Sequence, residues 1–118
     1  MNKNDFGLNA EDMDTIIFAV KARPEIEQAV IFGSRAMGNW KPASDIDLAL
    51  KGNVQDRSVA SIRAYLNEAA PAFPYKVDVV DYNSLENSEL KKHIDEYGKI
   101  IYRRESLPTP PSKNPAGQ

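Results

Sequence analysis

The 118-residue chain is long enough for one domain, and its formal net charge of −2, from 15 Lys and Arg against 17 Asp and Glu, argues against broad, sequence-independent binding to nucleic acid. The absence of cysteine excludes disulfides, a thiol nucleophile and a Cys-based zinc site. We find neither a signal peptide nor an apolar run long enough to span a membrane, so we expect a cytoplasmic protein that is not bound to a membrane.

The first predicted elements are a helix, a buried strand and a connector that contains glycine. Asn9 is a good N-cap for a helix whose apolar residues then recur at helical spacing. The segment 27–32 ends in four apolar residues and predicts a buried strand. The segment 33–44 contains two glycines and a proline, which indicates a connector, and a short helical turn is expected near 34–37.

The rest of the sequence predicts two more strands that alternate with helices, and a short final strand. The predicted segments are a strand at 45–51, a helix capped by Asp56 or Ser58 and ended by Pro71, a strand at 75–82, a helix from Ser84 to a C-cap at Gly98, and a strand at 99–102. This order is typical of an α/β or α+β sheet covered by helices. From residue 105 the sequence becomes rich in proline, so we assign residues 1–104 to one domain and 105–118 to a disordered tail.

Two aspartates in the strand at 45–51 form the first candidate site. Asp45 and Asp47 are two residues apart, so on a strand they point to the same side with Cα atoms roughly 6.5–7 Å apart. Such a pair can share hard cations such as Mg²⁺, which take carboxylate oxygens and keep waters that substrate phosphates replace. Plain solvent-facing alternation would give the same pattern, although like charges on one face of a strand repel.

A third carboxylate and a Gly-Ser dipeptide strengthen this interpretation. Asp78 completes a three-carboxylate cluster if its strand lies beside the first acidic strand, and with one or two Mg²⁺ ions such a cluster forms a phosphoryl-transfer site. Gly33 permits close approach of the backbone, and N–H groups at a helix start such as Ser34 bind phosphate, although ordinary turns contain the same dipeptide. The full pattern of Gly-Ser, ten residues and Asp-x-Asp arises by chance in roughly one such chain per thousand.

Three segments resemble the minimal nucleotidyltransferases of the DNA polymerase beta superfamily. They are the residues from Gly33 to Gly38, from Ser44 to Leu48 and from Val77 to Val80. The resemblance covers essentially the whole predicted domain. It implies an α+β fold with α/β-like order, in which flanking helices cover a mixed sheet of about four strands. It also implies that a nucleoside triphosphate, ATP above all, binds across the Gly-Ser turn.

The resemblance gives each matched residue a role. Asp45, Asp47 and Asp78 would be the catalytic residues and would hold two Mg²⁺ ions, while Gly33 and Ser34 would hold the β- and γ-phosphates. The implied reaction is in-line attack of an acceptor hydroxyl on the α-phosphate, with release of pyrophosphate. Metal charge and the positioning of the phosphates carry most of the catalysis in such a step.

The resemblance also implies a partner. Family members of this size resemble the antitoxin half of two-gene modules whose other product is a small all-helical protein of the HEPN type. AMP would be transferred to a hydroxyl on that partner, within a possible hetero-oligomer. The alternative is a non-catalytic nucleotide-binding module that neutralises or scaffolds a helical partner by binding alone.

Two further residues have more than one interpretation, and a third has only one. Arg35 follows the Gly-Ser turn and is included among the nucleotide-binding residues, although pairing with an acid at the surface is equally compatible with its position. Trp40 would stack on a base or, as we favour, pack at the edge of the core. His93 is the only histidine, and its two lysine neighbours indicate a solvated helix face.

Overall fold

A computed structural model describes residues 4–104, so the predicted Pro-rich tail at 105–118 lies outside the described residues. Within residues 4–104 the elements are α1 (Ala10–Lys21), β1 (Ile26–Phe32), α2 (Ser34–Met37), β2 (Ile46–Gly52), α3 (Asp56–Ala64), β3 (Val77–Asp81), α4 (Ser88–Tyr97) and β4 (Lys99–Arg103). The predicted α+β fold is confirmed. No helix in the described part of the chain has both the length and the apolar character needed to cross a membrane.

The four strands form one mixed sheet in the order β3-β2-β1-β4. β1 pairs antiparallel with both β2 and β4, whereas β2 and β3 run parallel. A parallel pair requires a crossover connection, and α3 provides it together with a π-helical turn at Tyr65–Ala69. The two strands that carry the candidate carboxylates are therefore neighbours, as the sequence analysis required.

Each face of the sheet packs on a separate group of apolar residues. Ile46, Leu48 and Leu50 of β2 lie in the larger core, where α1 and α3 also pack. Ala49 of the same strand lies in the smaller core with Ile94 of α4. Because successive strand residues point to opposite faces, the candidate carboxylates of β2 and β3 emerge on the side covered by α4.

Two helices begin at residues other than those expected. α3 begins at Asp56 itself, because the N-cap is Gln55 and neither Asp56 nor Ser58; the backbone N–H of Gln55 donates to Ser58 Oγ at 3.3 Å. α4 begins at Ser88, four residues after the predicted start. Asn87 caps this helix, because its side-chain oxygen accepts the N–H groups of the first turn. A 3₁₀ turn at Tyr82–Ser84 occupies the intervening residues.

Two side chains cover the outer edge of β3. Asn67 donates through Nδ2 to the carbonyl of Val77 at 3.0 Å and accepts the N–H of the same residue through Oδ1 at 2.9 Å. Arg63 donates to the carbonyl of Val79 at 3.1 Å. The Asn67 amide thus replaces the peptide group of a further strand, and it fixes the strand that carries Asp78.

Candidate functional site

Asp47 of β2 and Asp78 of β3 lie opposite each other in the parallel register. The residues on either side of each aspartate are buried in the larger core, so both carboxylates must emerge on the other face of the sheet. Neighbouring strands are about 4.8 Å apart, and partners in register point the same way. Asp47 is half-buried, whereas Asp78 is exposed. The structure therefore brings together two of the three predicted catalytic carboxylates.

Asp45 lies one residue before β2 and is exposed. The charge of Asp45 nevertheless affects the pKa of Asp47. Burial raises the pKa of Asp47 above its ordinary value, and the charges of Asp78 and Asp45 raise it further. Because like charges and burial both disfavour the ionised form, the negative charge of Asp47 is incompletely compensated.

The donor chemistry of this site fits a hard divalent cation. All three side chains offer carboxylate oxygens, which Mg²⁺ prefers, and the raised pKa of Asp47 is the effect that a bound cation would reverse. Within residues 4–104, no group of three acidic or histidine side chains is arranged to hold a metal ion.

Gly33 joins β1 to α2 directly beside Asp47. Its φ of 75° lies in a region that side chains of L-residues rarely adopt, and a Cβ at this position would collide with the Asp47 carboxylate. The turn begins at this place because Phe32, the last residue of β1, pairs with Asp47 across the sheet. The Gly-Ser turn and the carboxylates are therefore one site, as the sequence pattern predicts.

Ser34 opens the short helix α2. The carbonyl of Gly33 accepts the N–H groups of Ala36 and Met37 at 3.1 and 3.0 Å, which closes the turn. No hydrogen bond within residues 4–104 uses the backbone N–H groups of Ser34 and Arg35, as is usual for the first residues of a helix. Together with the Ser34 hydroxyl, these groups are donors available to a ligand.

The guanidinium of Arg35 has a different role from those considered in the sequence analysis. Arg35 is 1% exposed and donates to the carbonyls of Ser44 at 2.8 Å, Phe6 at 2.8 Å and Pro42 at 3.3 Å. It also lies 4.9 Å from the ring centre of Tyr75. Arg35 is therefore not a surface residue, and backbone carbonyls occupy the donors of its guanidinium. Arg35 ties the N-terminal segment to the connector between β1 and β2.

Trp40 has the packing role that the sequence favours. Its ring lies against Gly7, where an added Cβ would meet the indole ring within 3 Å, and its Nε1 donates to the carbonyl of Asp5 at 2.9 Å. The indole therefore fixes the N-terminal segment, next to the Arg35 guanidinium.

His93 of α4 belongs to the site, although it was not predicted there. Its Nε2 accepts the N–H of Gly33 at 3.0 Å, and its ring contacts Phe32 edge-on with ring centres 6.1 Å apart. The ring centre of Tyr97 lies 5.3 Å from that of His93. The expectation of a solvated helix face is wrong, since the residue is half-buried. The available signal was its spacing of three residues after Leu90 and four before Tyr97, which places it on the packing face.

Comparison with known proteins gives both a family and a set of similar folds. Residues 14–107 match the family model described as polymerase beta, nucleotidyltransferase. The search of curated proteins found no significant match.

Several solved structures share the fold. A toxin–antitoxin complex with AMP-PNP has a TM-score of 0.64 and 24% identity over 79% of this chain and 74% of that chain. The MntA–HepT complex has a TM-score of 0.61 and 21% identity over 82% and 74%. A tri-AMPylated HEPN toxin from Shewanella oneidensis in complex with MNT antitoxin gives 0.59 and 21% over 80% and 72%.

Proposed function

The chain belongs to the polymerase beta nucleotidyltransferase family, and from this we propose that it is an Mg²⁺-dependent enzyme that transfers AMP from ATP to a hydroxyl of a partner protein. The observation that carries the proposal is the pairing of Asp47 with Asp78 beside the Gly33–Ser34 turn. Carboxylates for cations and backbone donors for phosphates are the two components that phosphoryl transfer requires.

In this proposal the turn and the carboxylates divide the work. The Ser34 hydroxyl and the N–H groups at the start of α2 donate to the β- and γ-phosphate oxygens of ATP. Asp45 and Asp47 would hold both Mg²⁺ ions and Asp78 one of them, and the bound ions would neutralise charge on the carboxylates and phosphates. Their positive charge would also return the pKa of Asp47 toward its ordinary range.

The chemical step forms one bond and breaks another. The oxygen of the acceptor hydroxyl bonds to the α-phosphorus while the bond from that phosphorus to the bridging oxygen breaks, and pyrophosphate leaves. The proton of the hydroxyl passes to the carboxylate of Asp78, which is exposed and belongs to the edge strand β3.

We assign the acceptor hydroxyl to a small helical protein of the HEPN type. One similar structure is a complex of MntA with HepT, and another pairs an MNT antitoxin with a tri-AMPylated HEPN toxin. The chain would then act as the antitoxin of a two-gene module, in a hetero-oligomer in the cytoplasm. Residues 1–104 would form the catalytic domain, and residues 105–118 would lie outside it.

The test is to incubate the chain with Mg²⁺, α-labelled ATP and the helical protein encoded beside it, and to measure intact masses. We expect an AMP-sized increment on the partner that is absent with Asp47→Asn. A stable complex without any increment would contradict transfer. It would support the second function, in which binding alone neutralises the partner, especially if Asp47→Asn neutralises it equally well.

A further inference from the structure

The Gly33–Ser34 turn is held by a residue sixty positions away in the sequence. The backbone N–H of Gly33 donates to Nε2 of His93 at 3.0 Å, in a part-buried position. Because Nε2 accepts this hydrogen bond, it carries no proton in this arrangement, and any proton on the neutral ring is on Nδ1. The bond links α4 to the turn that joins β1 to α2.

The imidazole is itself fixed in place. Phe32 contacts it edge-on, and the ring centre of Tyr97, one helical turn further along α4, lies 5.3 Å from its own. Ile94, the next residue of the helix, is 2% exposed and anchors α4 on the smaller core. An acceptor on a packed helix therefore faces the turn with little freedom to move away.

The turn is constrained from two directions. On one side the Asp47 carboxylate occupies the space that a Cβ of Gly33 would take. On the other side His93 receives the Gly33 N–H. A part-buried N–H without a partner is unfavourable, so loss of the acceptor would let the turn rotate toward water. Rotation would move Ser34 relative to the carboxylates of β2 and β3.

We propose that His93 is a positioning residue for nucleotide binding: through Nε2 it fixes the Gly33–Ser34 turn against Asp47 and so sets the distance between the phosphate donors and the carboxylates. The Gly33 N–H is then a structural donor, and the phosphates are bound by the donors that follow it. This inference rests on the proposed nucleotidyltransferase function.

Two substitutions separate the hydrogen bond from ring packing. His93→Phe keeps an aromatic ring against Phe32 but removes the acceptor. His93→Gln removes the ring but keeps a carbonyl oxygen at a reach similar to that of Nε2. We expect the Phe variant to bind ATP about tenfold more weakly, with KM raised more than kcat is lowered, because a part-buried donor left without its hydrogen bond costs about that factor. The Gln variant keeps an acceptor and should stay within about threefold of the wild type.

A direct measurement does not depend on activity. In ¹⁵N-labelled, nucleotide-free protein, an N–H···N hydrogen bond transmits a scalar coupling between its two nitrogens. We expect this coupling between the Gly33 amide nitrogen and His93 Nε2 in the wild type. Its absence would overturn the inference even if neither variant folds.

If only ring packing matters, the order of ATP affinities of the two variants is reversed. ATP binding that is normal in His93→Phe and weak in His93→Gln would overturn the positioning role. The failure of the proposed function is distinguishable, because the wild type itself would then bind no ATP and modify no partner. If the wild type binds ATP and modifies its partner, and both variants bind ATP equally well, the role of His93 is contradicted while the proposed function stands.

Discussion

Asp47 and Asp78 are partners in the parallel pairing of β2 with β3, and both point to the sheet face that α4 covers. Their separation is set by backbone hydrogen bonds and by the buried residues on either side, and contact between the carboxylates is not needed to maintain it. Each carboxylate can therefore be replaced by an amide of nearly the same shape without loss of the sheet. This makes the pair suitable for testing function separately from folding.

The first prediction concerns transfer. Asp47→Asn and Asp78→Asn should each lower AMP transfer by about 10²-fold or more, because several kcal/mol of charge stabilisation depend on the carboxylates. Far-UV circular dichroism should be unchanged. Asp14→Asn, at an exposed position of α1, is the matched control and should keep full activity. Near-normal transfer in both site variants would exclude the proposed chemistry.

The second prediction concerns pH. Because the pKa of Asp47 is raised in the folded state, the folded protein binds this proton more tightly than the unfolded chain. The contribution of Asp47 to stability is therefore most favourable at acid pH and declines as pH rises through the folded-state pKa. In metal-free buffer at neutral pH, Asp47→Asn should have a higher Tm than the wild type.

Calorimetry over a pH series checks this expectation. The difference in Tm should vanish below the ordinary pKa of an aspartate, where both proteins are neutral at this position. Addition of Mg²⁺ at neutral pH should stabilise the wild type more than Asp47→Asn. A wild type that is more stable than the variant in metal-free neutral buffer would contradict the prediction.

The third prediction compares two glycines. Gly33 and Gly38 both have positive φ, at 75° and 86°, but an added Cβ collides with Asp47 only at the first position and meets nothing within 4 Å at the second. Gly38→Ala should therefore lower the free energy of unfolding by about 1 kcal/mol, because of backbone strain alone. Gly33→Ala should lower the free energy of unfolding by clearly more than Gly38→Ala does, and it should also weaken ATP binding. Urea denaturation measures the unfolding free energies of the two variants. Equal losses would argue against a close approach of Gly33 to Asp47.

The fourth prediction concerns Arg35. Arg35→Ala removes a buried guanidinium and leaves several part-buried carbonyls without donors, so it should lower the unfolding free energy by about 3 kcal/mol, whereas Arg57→Ala at an exposed position should change it by less than about 0.5 kcal/mol. Arg35→Lys should not restore stability, since one ammonium cannot replace the planar guanidinium. Urea denaturation again decides. A stable Arg35→Ala variant that no longer binds ATP would restore the phosphate-binding interpretation.

The sequence was sufficient to predict the parts of the site that depend on local pattern. Buried residues at every second position predict that Asp47 and Asp78 project from their strands, and Gly33 after an apolar run predicts the turn. Even so, the pattern could not show that β2 and β3 are parallel neighbours with these two residues in register. Strand order depends on how α3 crosses the sheet, and period-two alternation is the same for every order.

The roles of His93 and Arg35 could not be predicted, because both depend on distant partners. Two neighbouring lysines made the histidine resemble an exposed residue, while its partner N–H belongs to Gly33. Arg35 was interpreted through its neighbour Ser34, whereas its donors are taken by backbone carbonyls of the connector and the N-terminal segment. Because every residue has a backbone carbonyl, the sequence does not indicate which carbonyls accept hydrogen bonds from a buried arginine.

The side-chain bonds along β3 also affect how the molecule behaves at high concentration. A free strand edge is a template on which a strand of another chain can pair, and repeated pairing leads to fibrils. Asn67 already occupies both peptide groups of Val77, and Arg63 occupies the carbonyl of Val79. An incoming strand would first have to break these bonds. The acidic end of the sheet is thereby protected from templated growth, and it can remain open to solvent and substrate without promoting aggregation.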